Sequence, residues 1–395
     1  MSDGVKDQLS KTDSKLPNLA GLGRDRLRAL FTEFGEKPFH ADQVLKWVHQ
    51  RGITDLDSMT DISKSLREKL KTKTQITLPV VVDGFLSEDG TRKWIVEVAS
   101  GSRVEMVFIP EAARGTLCIS SQAGCSLDCS FCATGKQGFN SDLTVAEIVG
   151  QLWWAVKELG GFSGELERPI SNVVMMGMGE PLLNFEPVME AVNLMMEDCA
   201  YGLSKRKVTV STSGVVPAID RMKEFTEASL AISLHAPNDE LRSQIMPINK
   251  KYNIAMLLES VRGYMASLPD KRVPVIEYTM IAGVNDHRQH ARELAELLKT
   301  FPCKINIIPF NPFSLSDYRR PSGSSVTNFR QILQREGYTV TVRTTRGDDI
   351  GAACGQLVGE VADQTKRSQR HKAKAESNRK IFDRADNLAV TADRL

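Results

Sequence analysis

Three cysteines, Cys125, Cys129 and Cys132, stand in the stretch Gln122 to Lys136, Q-A-G-C-S-L-D-C-S-F-C-A-T-G-K, at a C-x3-C-x2-C spacing. So short a loop can fold all three sulfurs around one centre. Thiolates are the ligands that iron–sulfur clusters take, usually four of them. With only three local thiols, one iron of a 4Fe–4S cluster would lack a protein ligand and could bind a small molecule instead. Gly124 and Gly135 let the backbone turn, and Phe131 can shield a cluster from water. Zinc and plain clustered thiols are the competing readings. Structural zinc favours paired C-x2-4-C units with four ligands, and no second pair follows at finger spacing.

Other residues could do chemistry but carry bland readings of their own. Gly177-Met178-Gly179-Glu180-Pro181 reads alone as a turn after a strand, where glycines let a cofactor approach the backbone. Glu180 could accept hydrogen bonds from an ammonium group. His235 follows a strand, where a lone histidine is commonly structural. Cys354 sits among small residues that leave a thiol accessible, and Cys118 lies on the strand feeding the cysteine loop; each is also readable as a structural thiol. Glu105 reads as an outward-facing strand residue. Cys199 and Cys303 have only the structural reading.

The elements that must position these residues follow from periodicity. Leu27, Leu30, Phe31 and Phe34, then Val44, Leu45, Trp47 and Val48, recur at helical spacing, and a third helix is expected from about Ser63 to Lys71. These helices carry many Lys and Arg side chains, a solvated surface or a grip on RNA phosphates. From Leu78 to Ser120 the period becomes two, predicting four strands with turns at Glu88-Asp89-Gly90 and Ser100-Gly101. Strands and helices then alternate, with strands at Val173–Met176, Val208–Ser211, Leu230–Leu234, Val275–Met280 and Ile305–Ile308. That alternation predicts an α/β fold with a parallel sheet. About six units are too few for a closed eightfold barrel, so a partial (β/α)6 barrel is expected. Glu180, Ser211, His235 and Asn311 fall just past strand ends, the rim that carries the site in such folds. The expected division is a flexible N-terminus over 1–22, a helical accessory domain over 23–77, a short β layer over 78–114, the barrel over 115–363 and a basic, disordered tail over 364–395.

The composition excludes several classes. Of 395 residues, 41% are hydrophobic and 25% charged, as in a globular protein. No apolar run approaches the roughly twenty residues of a membrane span, and Met1 to Lys15 lacks the apolar core of a signal peptide. Seven cysteines, an odd number with three clustered, argue against a secreted disulfide framework. A reducing cytoplasm, without membrane contact, is the expected location. A net charge of +2 does not by itself announce a nucleic-acid binder.

The cysteine spacing together with the G-x-G-E-P loop resembles the radical S-adenosylmethionine (SAM) superfamily, whose open iron chelates the methionyl amino and carboxylate groups of SAM. With Cys118 and the segment R-G-D-D-I-x-A-A-C-G-Q-L, here Arg346 to Leu357, the chain from about residue 20 to 363 resembles the RlmN family of dual-specificity RNA methyltransferases, which act at C2 of adenine. That family usually has Asp where this sequence has Gly351, a departure in loop geometry and not at a catalytic atom. The resemblance implies a 4Fe–4S cluster on Cys125, Cys129 and Cys132, and two SAM molecules per turnover. It implies SAM contacts at Gly179, Glu180, Ser211, Ser233, Leu234, His235 and Asn311. One SAM would methylate Cys354; a second would be cleaved to a radical that activates the carried methyl group for addition to C2, an electron-poor carbon that cannot attack SAM itself. Glu105 would then take the C2 proton, and Cys118 would attack the sulfur of Cys354, forming a disulfide and freeing the RNA. The implied partners are 23S rRNA, tRNAs with adenine at position 37, and an external electron donor such as a flavodoxin-type system, with the enzyme a monomer. The adenine must leave its stack to be reached. Rival readings are a Cfr-type enzyme acting at C8 of the same adenine, a non-catalytic cluster- or zinc-bearing RNA-binding protein, and a radical SAM enzyme on a small molecule.

Overall fold

The computed structural model describes residues 16–112, 114–162, 168–367 and 369–371. Three helices come first, α1 (Arg24–Glu33), α2 (Phe39–Leu45) and α3 (Lys64–Lys73). They form where the helical spacing lies, and they bury its apolar face: Leu27 and Phe31, Val44 and Leu45, Leu66 and Leu70. Ser63 caps α3 by accepting from Leu66 N. A π-helical turn, Lys46–Gln50, continues α2. Within the stretch expected to be flexible, residues 1–15 lie outside the described residues, but Leu19–Gly21 forms a 3-10 turn with Leu19 and Ala20 buried. Leu19 N donates to Gln75 O at 2.8 Å, so this part of the N-terminus is packed.

Strands β1 (Val80–Leu86), β2 (Arg92–Glu97), β3 (Arg103–Glu111) and β4 (Arg114–Cys118) form an antiparallel meander. Next come β5 (Gln122–Gly124), α4 (Ala133–Gln137), β6 (Phe139–Asp142) and α5 (Val145–Glu158). The alternating region follows: β7 (Asn172–Met175), α6 (Phe185–Met196), β8 (Val208–Thr212), α7 (Val216–Met222) and β9 (Ser229–Ser233). It continues with α8 (Asp239–Ile245), α9 (Ile254–Ser267), β10 (Val275–Met280), α10 (Arg288–Leu297), β11 (Lys304–Pro309), α11 (Gly323–Arg335) and β12 (Thr339–Val342).

The large sheet has ten strands in the order β1-β2-β3-β4-β7-β8-β9-β10-β11-β12. From β4 onward every pairing is parallel, which gives six β/α units followed by a last strand, the partial barrel expected. The β layer expected over 78–114 holds β1, β2 and β3, and these strands run on through β4 into the barrel sheet. Pairing of Thr116 to Cys118 with Asn172 to Val174 makes them the antiparallel margin of the same sheet. One apolar core runs from Leu19 to Leu357 and joins the N-terminal helices to the barrel. Trp153 Nε1 of α5 reinforces that join by donating to Val48 O at 2.9 Å. A smaller cluster, including Phe131, Ile245, Met246 and Phe310, packs beside the cysteine loop. No helix among the described residues is long and apolar enough to cross a membrane.

Candidate active site

The cysteine loop is strung between β5 and β6, which among the described residues pair only with each other. Gly124 has φ +82°, and its Cα lies so close to Gly138 O that a side chain would collide. Cys125 N donates to Gly138 O at 2.7 Å, closing the base of the loop, and Cys132 N donates to Cys129 O at 3.2 Å. All three thiols line one cavity of about 140 Å³, together with Gly177, Gly179, Glu180, Ser211, Ser233 and Cys354. Burial first, and then the nearby Cys132, push the Cys125 thiol up to about 12. Burial, then Cys132 and Cys125, hold Cys129 well above the ordinary range. Thiols that oppose one another's ionisation in a dry site need a cationic centre before they can act as thiolates. Among the described residues no three His, Cys, Asp or Glu side chains converge on one ion. A cubane instead takes each thiolate at a separate iron, so three sulfurs facing a shared cavity fit a cluster with one open corner.

The glycine loop lies across this cavity. A Cβ on Gly177 would sit 2.6 Å from the Ile119 carbonyl, and one on Gly179 would sit 2.5 Å from Gln122 Cβ at a φ of +99°. Both positions are closed to any other residue. Glu180 is buried; Oε2 accepts from Ser213 N at 2.7 Å and Ser213 Oγ at 2.6 Å, and Oε1 accepts from Leu182 N at 3.1 Å. Burial raises its pKa against the pull of these donors. The carboxylate therefore ties the end of β7 to the end of β8 while facing the cavity.

Ser211 and Ser233, at the ends of β8 and β9, line the same cavity. Leu234 and His235 are buried behind it. His235 has φ +59°, an uncommon conformation for a non-glycine residue. Its Nδ1 accepts from Thr279 N at 2.9 Å and its carbonyl accepts from Asn285 Nδ2 at 2.8 Å. Burial holds it neutral, down to about 3, and its ring meets Phe131 edge-on at 4.7 Å. The rim is gathered by Arg242, whose side chain is fully buried. Its guanidinium donates to Leu234 O at 3.1 Å, Asn249 Oδ1 at 2.7 Å, Ser213 O at 2.7 Å and Ser233 O at 3.1 Å.

A second cavity adjoins the first at Cys354. Its walls include Val107, Cys118, Met176, Asn311, Arg343 and Cys354 itself. Cys118 is buried, and that burial, with Cys354 adding to it and Arg343 opposing it, pushes its thiol up to about 12. Burial also raises Cys354, again against Arg343. Both thiols are free. Asn311 Nδ2 donates to Cys354 O at 3.1 Å, and its Oδ1 accepts from Arg320 and Thr345, each at 3.1 Å, so Asn311 anchors the Cys354 loop. Glu105 is not outward-facing. It is buried, with Oε1 3.1 Å from Lys93 Nζ and Oε2 accepting from Val358 N at 3.0 Å. The alternation of β3 puts it on the face of Val107 and Ile109, which line the second cavity.

Sequence reasoning missed Arg343, Arg242, Ser213, Glu277 and Lys93. Arg343 directly follows β12, so the strand-end rule that named Glu180 and Asn311 would have reached it. Glu277 is buried mid-strand on the cavity wall, the one charged residue of β10 and so an anomaly readable in the sequence. Arg242 carries no such signal, because a cation on a short polar helix reads as solvated.

Residues 17–76 match the family described as ribosomal RNA large subunit methyltransferase N-terminal domain, and residues 119–298 match the radical SAM superfamily. A dual-specificity RNA methyltransferase RlmN of Marinobacter nauticus is 61% identical over 361 residues, covering 91% of this chain and 98% of that protein. The RlmN of Pseudomonas fluorescens is 58% identical over 93% of this chain and 96% of its own length. A crystal structure of a radical SAM methyltransferase from Sphaerobacter thermophilus superposes with a TM-score of 0.79 at 39% identity, covering 86% of this chain and 99% of that one.

Proposed function

The chain belongs to the RlmN family of dual-specificity RNA methyltransferases, radical SAM enzymes that use a 4Fe–4S cluster and SAM, and we propose that it methylates C2 of adenosine 2503 in 23S rRNA and of adenosine 37 in a subset of tRNAs. The observation that carries this reading is the place of Cys354, which borders both the cavity of the three cluster thiols and the cavity of Cys118. A methyl group on its sulfur can face the cofactor side and the substrate side in turn.

Cys125, Cys129 and Cys132 would hold the cluster. When bound, the cluster supplies the electron, drawn from an external flavodoxin-type donor, that cleaves SAM reductively. Gly179 gives the methionyl end close access to backbone, and Glu180 offers carboxylate lone pairs to its ammonium group. Ser211 and Ser233 line the SAM space with hydroxyls; Leu234 and His235 shape its floor through the backbone. Cys354 Sγ loses its proton and attacks the methyl carbon of the first SAM, with Arg343 easing the ionisation that burial opposes. The radical that cleavage of the second SAM would supply takes one hydrogen atom from the methyl group on Cys354, the carbon left on that sulfur bonds to adenine C2, and the single surplus electron of the adduct would return to the cluster. Glu105 accepts the C2 proton, from a buried position on the β3 face that lines the second cavity. Cys118 Sγ loses its proton and attacks Cys354 Sγ; the bond between that sulfur and the carried carbon breaks toward the RNA, the released carbon takes up a proton to become methyl, and a Cys118–Cys354 disulfide remains.

The test is nucleoside mass spectrometry after anaerobic reaction of reconstituted protein with reductant, SAM and an rRNA or tRNA fragment, beside Cys354→Ala. 2-Methyladenosine that depends on the Cys354 thiol is expected. 8-Methyladenosine would move the chain to the Cfr type, and no methylated base from cluster-loaded protein would overturn the proposed substrate.

A further inference from the structure

The chain beyond Cys354 stays on the site. Ala133 N donates to Gly355 O at 2.9 Å, and Gln364 N donates to Phe139 O at 2.9 Å. Thr134 Oγ1 donates to Leu357 O at 2.8 Å, Gln137 Nε2 to Gly359 O, and Asn140 Nδ2 to Ala362 O at 2.8 Å. Residues 355–364 are thus a strap along α4 and β6, the two elements that close the cysteine loop. The strap leads to Arg367, in the segment that the sequence marks as a basic tail; residues 372–395 of that tail lie outside the described residues.

Arg367 is turned inward. Its Nη1 donates to Cys125 O at 3.1 Å and to Gly135 O at 3.3 Å, and its Nη2 donates to Ser126 O at 2.6 Å. Cys125 and Ser126 stand at the entry of the ligand loop, and Gly135 stands in α4 beyond the last ligand. One planar guanidinium therefore bridges both ends of the loop. The carbonyl of Gly135 needs an outside donor, because the five residues of α4 are too few to pair it within the helix. A parallel tie exists in Lys136 Nζ, 2.9 Å from Asp128 Oδ1 across the same loop.

We propose that Arg367 is a positioning residue for the iron–sulfur cluster, clamping the cysteine loop in its ligating shape and setting a positive charge beside the cluster. The inference rests on the cofactor assignment and not on the RNA target. Partners around metal ligands commonly set affinity for the metal by tenfold or more, and nearby charge and hydrogen bonds set a cluster's potential. Both effects require the guanidinium to face the loop, as it does here. An arginine gripping RNA phosphates would point outward, as the exposed Arg370 side chain is free to do.

The experiment compares full-length wild type with Arg367→Gln, Arg367→Lys and Arg370→Gln after anaerobic reconstitution. Iron and sulfide per chain, the rate of iron release to a chelator, and the midpoint potential by EPR-monitored titration are read without turnover. Arg367→Gln is expected to release iron about tenfold faster and to reduce at a lower potential. Arg367→Lys should recover the potential better than the retention, since an ammonium keeps the charge but cannot span three carbonyls. Arg370→Gln should match wild type. Wild-type iron release and potential in Arg367→Gln, with weaker tRNA binding and a shallower salt dependence, would overturn the proposal in favour of a phosphate contact. If Arg367→Gln melts early as apoprotein, the Lys variant decides: faster release at unchanged melting supports the proposal, and unchanged release overturns it. A wild-type chain that holds its cluster but methylates no adenine overturns the proposed function and leaves this result standing.

Discussion

Replacing Arg242 by Met tests whether the rim of the SAM space is held by one buried cation. The side chain is fully buried and donates to three backbone carbonyls and one amide oxygen. Burial depresses its pKa from 12.5 to about 10, a bias against the charged form of about 3 kcal/mol. A neutral replacement recovers that desolvation cost. Against it stand four acceptors left without their donor, at about 1–2 kcal/mol each. The balance is a loss of about 3 kcal/mol, a large fraction of the 5–15 kcal/mol typical of a whole domain. Methionine fills much of the arginine volume, so no large cavity term is added. Three of the four acceptors, Ser213, Ser233 and Leu234, belong to the ends of β8 and β9, so SAM affinity should fall along with stability. Urea unfolding by circular dichroism should show a midpoint lowered by about 1 M at a slope of about 3 kcal/mol/M, and equilibrium dialysis should show weaker SAM binding. Arg242→Lys, which keeps the charge but loses the fork, should fall between. A midpoint within about 0.3 M of wild type, with SAM affinity unchanged, would show that the carbonyls find other donors and that the guanidinium does not hold the rim.

Two further outcomes follow from buried titratable groups. Lys93 and Glu105 have side chains 11% and 5% exposed, 3.1 Å apart, so Lys93→Met alone should cost about 3–5 kcal/mol by stranding a carboxylate. Adding Glu105→Gln should return most of that in urea unfolding, and simply additive losses would refute the pairing. His49 is buried beside Tyr201, with Nδ1 3.2 Å from the phenolic oxygen, and burial lowers it to about 3. Its folded pKa lies below the unfolded value near 6.5, so the unfolded state alone takes up a proton as pH falls through 6.5. Stability is therefore lost on the acid side, by about 1.4 kcal/mol per pH unit from this residue between 6.5 and 3. His49→Leu should remove about 2 kcal/mol of the fall in unfolding free energy between pH 6.5 and pH 5, and an unchanged fall would refute the assignment.

What was legible in the sequence was what local patterns encode. Period two and period 3.6 gave the strands and helices, and their alternation gave a partial barrel, because each strand's buried faces are written in its own residues. The three cysteines were legible because their ligand geometry lies within one loop. Glu105 was not. An acidic residue in an alternating strand looks solvent-facing, and only the distant Lys93 and the chain near Val358 give its carboxylate a buried partner set. The joining of β4 to β7 was hidden for the same reason, since parallel pairing links segments more than fifty residues apart and leaves no adjacent turn signal. The tail shows the limit most plainly. Lys and Arg side chains look alike in sequence whether they serve solvent, phosphate or protein, and direction alone separates Arg367, on the carbonyls of the cysteine loop, from Arg370, exposed three residues later. Charge composition therefore marks where a cation stands, but its partners, and so its chemistry, are set by the strap that carries it back to the loop.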